Sequence, residues 1–535
     1  MRHLGIDFGT TNTVVSFKDA NGKLKQINGG SVRSAVCFLS KHEYVIGDDA
    51  IRKAGINKQS LVLNFKPNIS GEPIYVTAIN GDEFKIKPHI VARLFLDKIR
   101  SNYIEKRFQK IFGNAELTEE DRVVITVPIK FSAEEKKLVK KAAINAHYPN
   151  VKLAFEPTAA AMAMTKNDEE RNIIAVYDFG GGTFDISVIE SDNGGKYVPL
   201  ERDGDKKLGG NNITLKIAKD IIIPILNKQA IYIPLEEDEF DEDECGISEI
   251  DYKINIYEII TVAESIKTTF SEFDSPETME FVVPIKIDEE TFQIDFEVTK
   301  KEFEECIQPL IEETVNITRN VIDSVVNTHK VKIPQITMAG GSSKIYLAQK
   351  LLEDEFKPDG INIAVDEDVM SVISKGALEI SEKENLIQIS ERTSSQFGVA
   401  ERKGIGILVF ESLIDINSAL PVSGSKEYGI SNSMLDCGEL EIKCYEKDVR
   451  NYPNSTNVTE KGIEFINSYR IPFDKNLKPE TVVVTFSIEK DGTLEISALF
   501  KDKYGKVLEN VTNSIIGDND LEWLYVRNII NRKTL

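Results

Sequence analysis

A short pattern that occurs twice constrains this chain more than anything else in it. Near the start, residues 4–17 read LGIDFGTTNTVVSF; much later, residues 177–187 read YDFGGGTFDIS, directly behind the apolar run Ile173-Ile174-Ala175-Val176. In both copies an apolar strand ends on Asp-Phe-Gly, small residues turn the chain, and strand-like residues resume, with Val14, Val15 and Phe17 doing so in the first copy. Glycine turns cost backbone entropy and pack nothing, so a repeated one needs a reason. Gly180, Gly181 and Gly182 can take φ > 0 and carry no Cβ. Successive N–H groups in such a turn can converge on one point and form a nest for an anion. Asp178 and Asp185 flank that nest. A carboxylate beside a phosphate is repulsive unless a cation sits between them, and Mg²⁺ is held in this way through its waters and phosphate oxygens. Taken alone, the second stretch is equally an ordinary glycine-rich β-hairpin turn. The recurrence tips the balance, because it implies two related halves whose loops grip one polyphosphate from opposite sides. A third turn, TMAGGSSK at 337–344, follows a strand-like stretch over 333–338 and precedes the amphipathic pattern Ile345, Leu347, Leu351, Leu352. There is no G-x-x-x-x-G-K-[ST] loop where it would matter and no G-x-G-x-x-G after the first strand, which disfavours a dinucleotide fold.

Charge and cysteine usage narrow the partners. With 65 basic and 87 acidic residues the net charge is −22, which argues against a nucleic-acid backbone and against anionic lipid as partners. The five cysteines, Cys37, Cys245, Cys306, Cys437 and Cys444, are odd in number and form no C-x-x-C pair, so neither a disulfide framework nor a zinc site is expected. No apolar run approaches the roughly 18 residues of a membrane span, and Asp7 stands where a signal peptide needs its apolar region. A soluble, reducing, cytoplasmic setting is expected. At 535 residues the chain is long enough for two to four domains.

Periodicity then organises the chain. Residues 88–108 place Ile90, Leu94 and Ile99 at helical spacing, and residues 122–128 form a buried strand stopped by Pro128. Ser132 and Glu135 make a capping box for a helix over 132–147. Residues 151–164 run strand, Glu156-Pro157, alanine-rich helix, and such alternation implies α/β layers. The acidic run at 236–244 reads as a solvated loop, with a partner-docking or cation-collecting surface as the lesser alternative. A helix is expected over 251–271, paired strands over 281–298, and a long helix over 299–327 with a kink at Pro309. Beyond about residue 380 a polar linker gives way to alternating strands, with Asp491-Gly492 as a hairpin signal and a short amphipathic helix carrying Trp523 over 521–530.

Taken together, GIDFGTTNTVV, VVITVP, FEPTAAA, DFGGGTFDIS, LGGNN, AESIKTTFS and MAGGSSKI, in this order, resemble the ATPase domain of the 70-kilodalton heat-shock chaperones, the DnaK type, within the actin and sugar-kinase superfamily. Residues 392–510, chiefly through IEKDGTLEISA, resemble that family's β-sandwich. The resemblance implies an α/β actin-like ATPase domain of two similar, ribonuclease-H-like lobes over 1–379, a linker over 380–391, an all-β sandwich over 392–510 and a short helical tail over 511–535 without a full lid. It implies ATP or ADP with Mg²⁺ as cofactors, K⁺ being an open addition. It also implies extended polypeptide as partner, with a co-chaperone or nucleotide-exchange factor, and a monomer. Asp7 and Asp178 would hold the metal through water, with Glu156 near metal and attacking water and Lys66 orienting that water. Gly9, Thr10, Thr11 and Asn12 would meet the phosphates from one side, and Gly180, Gly181, Gly182 and Thr183 from the other. Glu264, Lys267 and Ser271 would bind ribose and adenine, with Gly340, Gly341, Ser342 and Lys344 on the opposite face. Such a set suits phosphoryl transfer, which needs positioned water and charge neutralisation more than covalent chemistry.

The departures set further expectations. Thr268 and Lys344 stand where the family has two arginines flanking adenine, and neither stacks on a base as a guanidinium does, so weaker adenine selectivity or affinity is expected. Gln388 interrupts the apolar linker run Leu386-Ile387-Gln388-Ile389, which puts coupling between the domains in question. A lidless sandwich should exchange peptide quickly. Val399, Tyr428, Leu440 and Ile442 match apolar groove positions loosely, with sandwich core as the more ordinary role for each, and Arg402 lies near a position that is usually apolar. Two other classes stay open: a small-molecule kinase on the same scaffold, and an interaction module whose nucleotide site is regulatory.

Overall fold

The computed structural model describes residues 1–513 apart from 56, 165–170, 193–195, 237–238, 289, 366–368, 384–387, 390–392, 394, 403–407, 417, 431–434, 436–437, 450–451 and 491–492. The expected tail helix with Trp523, the Asp491-Gly492 turn and linker residues Leu386 and Ile387 therefore lie outside the described residues. The chain divides into two compact units, Met1–Lys130 with Ala143–Ile387, and Phe131–Ala142 with Gln388–Leu535.

The recurrence of Asp-Phe-Gly is a recurrence of topology. In the first unit, strands β1 (His3–Phe8), β2 (Asn12–Lys18), β3 (Leu24–Gln26), β4 (Arg122–Val127) and β5 (Val151–Phe155) lie in the order β5-β4-β1-β2-β3. Strands β6 (Arg171–Phe179), β7 (Phe184–Asp192), β8 (Lys196–Asp205), β9 (Gln335–Ala339) and β10 (Asn362–Val365) lie in the order β10-β9-β6-β7-β8. Each sheet starts with an antiparallel meander and adds two parallel strands on the far side of its first strand. Asp7 and Asp178 occupy equivalent places near the end of that first strand, paired across the turn with Val14 and Asp185.

Helices cover these sheets. α1 (Glu156–Met164) begins at the end of β5, α2 (Gly210–Ile217) follows β8, and α3 (Glu249–Thr269) starts on a Ser248 cap. α4 (Lys300–His329) opens on a Thr299/Glu302 capping box and runs as one helix through Pro309. It buries Phe303, Ile307, Val321 and Val325 against the core of the second sheet, which also takes Tyr177, Phe179 and Phe184. The hydroxyl of Tyr177 meets that of Thr314 at 2.6 Å, so this buried phenol is hydrogen-bonded. α5 (Val372–Lys383) was not foreseen from sequence. It lies so close to its neighbours that a Cβ on Gly376 would fall 1.6 Å from the carbonyl oxygen of Ala159, and one on Gly5 2.2 Å from the backbone of Ser374 and Leu378. The paired strands expected over 281–298 form the hairpin Thr278–Ile287 with Glu290–Thr299.

In the second unit the alternating strands build a sandwich. β11 (Gln396–Arg402), β12 (Leu408–Ile414), β14 (Glu439–Lys447) and β15 (Ile463–Pro472) form one antiparallel sheet in the order β12-β11-β14-β15; β13 (Val422–Gly429), β16 (Thr481–Ile488), β17 (Leu494–Lys501) and β18 (Val507–Asn513) form the other, in the order β13-β16-β17-β18. Strict alternation in β16 and β17 sends Val482, Val484, Phe486, Ile488, Leu494, Ile496, Ala498 and Phe500 inward, as expected of a sheet with one buried face. The capping box predicted at Ser132 is present: Ser132 N–H donates to Glu135 Oε2 at 2.6 Å and Glu135 N–H to Ser132 Oγ at 3.2 Å.

Candidate functional site

The two recurring turns meet in the first unit, and both line a cavity of about 510 Å³. Here the structure separates the two properties that glycine offers. None of Gly180, Gly181 and Gly182 is among the residues with positive φ; Gly181 and Gly182 instead supply the missing Cβ, while a Cβ on Gly180 would meet nothing closer than Thr183 O at 3.4 Å. A Cβ on Gly181 would lie 2.2 Å from Thr11 Oγ1, and one on Gly182 2.6 Å from Thr10 Oγ1. The loops therefore touch backbone to side chain, and only glycine permits it. Gly340 does take φ 81°, and a Cβ there would stand 2.6 Å from Asp178 Oδ1. The backbone after β8 locks onto the same loop, with Gly210 N–H donating to Gly180 O at 3.0 Å and Asn211 N–H to Gly181 O at 2.7 Å. Ser342 Oγ donates to Gly180 O at 2.8 Å, which joins the third glycine turn to the second. Ser34 does the corresponding work for the first loop, its hydroxyl donating to Gly9 O at 2.7 Å and its N–H to Thr11 O at 2.8 Å.

Behind the loops lies a concentration of buried charge. Phe65 packs against Phe8 and Phe95 with ring centroids 6.2 and 5.4 Å away, and this anchor delivers the next residue, Lys66, inward. Lys66 Nζ donates to Glu156 Oε1 at 2.6 Å, with both side chains buried. Burial, and next the charge of Glu156, push the Asp7 carboxyl from its ordinary 3.8 up to about 7, against the opposing pull of Lys66 and a Thr126 hydrogen bond. Asp178 is driven well above the carboxylate range by burial and then by Glu156, Asp185 and Asp7. Asp185 moves the same way, by burial first and Glu156 second, and neither of its oxygens has a hydrogen-bond partner among the described residues. Asp7, Asp178 and Glu156 thus share one ammonium, Lys66, that is already paired with Glu156, while Asp185 also feels Lys130 and Arg202.

That donor set fits a hydrated divalent cation. Asp7 and Asp178, desolvated carboxylates that line the cavity beside a lysine already paired with Glu156, mark a place short of positive charge. Among the described residues no group of three His, Cys, Asp or Glu side chains is arranged to hold a metal directly. Mg²⁺ rarely uses such a cage; it keeps its waters and takes one or two carboxylates plus phosphate oxygens.

The other end of the cavity is built from the last turn of α3 and the third glycine turn. Lys267 Nζ contacts Glu264 Oε2 at 2.6 Å, Thr214 Oγ1 at 2.9 Å and Gly210 O at 3.1 Å, and burial lowers its pKa in spite of the Glu264 charge. Ser271 Oγ donates to Lys267 O at 2.6 Å. Tyr346 N–H donates to Ser271 O at 2.8 Å, which ties α3 to the turn that carries Lys344.

The cavity lining holds Asp7, Gly9, Thr10, Thr11, Asn12, Lys66, Glu156, Asp178, Gly180, Gly181, Gly182, Thr183, Glu264, Lys267, Ser271, Gly340, Gly341, Ser342 and Lys344, so the nucleotide and metal candidates named from sequence all come to one place. Sequence reasoning did not single out Ser31, Glu272, Met370 and Ile373, which also line it. Asp185, in the quoted motif, is buried and is not among the lining residues; it acts on the site through its charge on Asp178. The four groove positions lie elsewhere. Val399, Leu440 and Ile442 are buried in the sandwich core and Tyr428 is half-buried against it, its hydroxyl without a partner among the described residues.

Comparison with known proteins agrees with this geometry. A family model described as Hsp70 protein matches residues 3–522. The chaperone protein DnaK of Thermosipho africanus is 25% identical over 515 residues, covering 92% of this chain and 77% of the relative. The chaperone protein DnaK of Thermotoga neapolitana is 25% identical over 513 residues, covering 92% and 78%. The topology described above is accordingly that of a two-lobed actin-like ATPase followed by a β-sandwich.

Proposed function

Because the chain belongs to the Hsp70 family, we propose that it is a chaperone-like ATPase that binds Mg·ATP between its two glycine loops, hydrolyses it slowly, and uses its sandwich to hold extended polypeptide or a partner protein. The observation that carries this reading is the buried Lys66–Glu156 pair at 2.6 Å, beside two loops in contact, in one cavity with Asp7 and Asp178. In this reading Thr10, Thr11 and Asn12 bind the terminal phosphates from one side and Gly180 to Thr183 from the other. When bound, the metal supplies the positive charge that lets carboxylates and phosphates share the site. Lys66 Nζ neutralises the departing phosphoryl group and, with Glu156, orients the attacking water. The Thr183 hydroxyl holds that water or the γ-phosphate in line. Placement and charge neutralisation of this kind are what a loose phosphoryl-transfer transition state requires. The domain limits that accompany the proposal are 1–379 for the ATPase, 380–391 for the linker, 392–510 for the sandwich and 511–535 for the tail, in a cytoplasmic monomer assisted by a co-chaperone or exchange factor.

Phosphate release without a phosphorylated acceptor separates this reading from a small-molecule kinase. Lys66→Ala should lower the single-turnover rate by about 10² or more, on the scale of losing one charge-stabilising donor; equal rates would remove Lys66 from the mechanism. A second reading, a nucleotide-regulated interaction module without a peptide cycle, is favoured by the burial of Val399, Leu440 and Ile442 in the sandwich core. Release of a fluorescent peptide decides between them: acceleration by ATP supports the chaperone cycle, and failure to bind peptide supports the module.

A further inference from the structure

Two opposite charges line the base end of the cavity without using each other. Glu272 and Lys344 are both exposed, both line it, and neither makes an ion pair or side-chain hydrogen bond among the described residues. They are held near one another, since Ser271 and Tyr346 are joined backbone to backbone at 2.8 Å. The lining around them includes Thr268, Gly341, Ile345 and Met370. Gly341 offers no side chain, the sulfur of Met370 lies 3.3 Å from where its Cβ would be, and Thr268 turns its hydroxyl back onto Glu264 O and Ser265 O at 3.0 Å each. No aromatic ring and no guanidinium lines the cavity among the described residues. A base entering here finds no aromatic or guanidinium plane to stack on; Glu264 and Lys267 are already paired with each other, which leaves Glu272 and Lys344 as the charged hydrogen-bonding groups open to its edge.

The two purines present different edges to such a pair. Guanine offers N1–H and N2–H₂ as adjacent donors and O6 and N7 as adjacent acceptors; adenine offers one exocyclic amine and the acceptors N1 and N7. A carboxylate only accepts and an ammonium only donates. Glu272 can therefore take both guanine donors while Lys344 gives to O6 or N7. With adenine the carboxylate reaches a single donor next to the N1 lone pair, which repels it. We infer that this end of the cavity reads purines by hydrogen bonds from Lys344 and Glu272 rather than by stacking, and that it takes guanine nucleotides at least as tightly as adenine nucleotides. The inference rests on the nucleotide reading proposed above and specifies its base.

The test is calorimetric titration of the full chain with Mg·ATP, Mg·GTP and Mg·CTP, repeated on Glu272→Ala and Lys344→Ala. Both positions are exposed and outside the packed core, so both variants are expected to fold. The expected result is a Kd for Mg·GTP equal to or below that for Mg·ATP, with Mg·CTP at least tenfold weaker. Glu272→Ala should weaken Mg·GTP about tenfold, within the range of a lost bidentate base contact, and Mg·ATP less than threefold. Lys344→Ala should weaken both purines. Mg·ATP binding with Mg·GTP weaker than it overturns the inference and leaves the nucleotide reading standing. Equal losses of both purines in Glu272→Ala, or Mg·CTP binding as well as the purines, also overturn it. Absence of binding by all three overturns the nucleotide reading, and the inference with it.

Discussion

Asp7→Asn tests the electrostatics of the site without touching its shape. Asp7 is held up from 3.8 to about 7 by burial and by Glu156. Between those pH values the folded protein carries a proton that the unfolded chain has lost. Its stability must therefore fall as pH rises through that window, by about 1.4 kcal/mol per pH unit while the difference is complete. Over the whole window this is about 4 kcal/mol, a ceiling, because Asp7 borders the cavity and water reaches it. Asparagine keeps the side-chain volume and the contact with Thr126 Oγ1, now 3.4 Å from Asp7 Oδ1, and removes the charge. Without metal the variant should be more stable than the parent by about 1–3 kcal/mol at pH 8, and by much less near pH 4. Urea denaturation of both proteins at pH 4, 6 and 8 in EDTA gives the comparison directly. The same variant should lose most of its thermal shift with Mg·ATP, since the cation loses a carboxylate. A variant less stable than the parent at pH 8, or a difference that does not grow with pH, would refute the account of Asp7 as a destabilising, cation-seeking group.

Other outcomes follow from the same geometry. Gly181→Ala places a methyl 2.2 Å from Thr11 Oγ1; circular dichroism should show an intact fold while Mg·ATP affinity drops at least tenfold. Lys66→Met strands Glu156 in the interior beside Asp7 and Asp178, so chemical denaturation near pH 8 should show a loss of about 3–5 kcal/mol. Because Asp7, Asp178 and Asp185 all have raised pKa values, Mg·ATP binding near pH 6.5 should release protons. Heats measured in buffers of different ionisation enthalpy should then differ, and the apparent affinity should rise with pH. Gly376→Ala forces α5 off α1, where the new Cβ would be 1.6 Å from Ala159 O; it should lower the melting temperature more than any site substitution named here.

Local pattern carried the site far in this chain. The repeated Asp-Phe-Gly turn was enough to expect two related halves, because a strand that ends on a carboxylate and a small-residue turn is a local event. The capping box at Ser132, the long helix from Thr299 and the alternation in β16 and β17 were legible for the same reason. What escaped was non-local. α5 has a modest pattern, and its place depends on glycines, Gly376 and Gly5, whose partners lie far away in sequence. Ser34 gives no sign in sequence that it holds Gly9 O. Of the two things glycine offers at 180–182, backbone freedom and a missing Cβ, the structure uses the second at Gly181 and Gly182, which face Thr11 and Thr10. Asp185 was visible as a letter of the motif, but its burial without a hydrogen-bond partner among the described residues depends on packing that the motif does not carry.

The account stands on a polyphosphate and its metal being clasped where the two turns touch. Titrating the full chain with ATP in a calorimeter, once with Mg²⁺ and once with EDTA, probes that most directly. Saturable heat at one site per chain, present with Mg²⁺ and strongly weakened by chelation, is the predicted result. A folded protein that gives no heat and no thermal shift with Mg·ATP would contradict it.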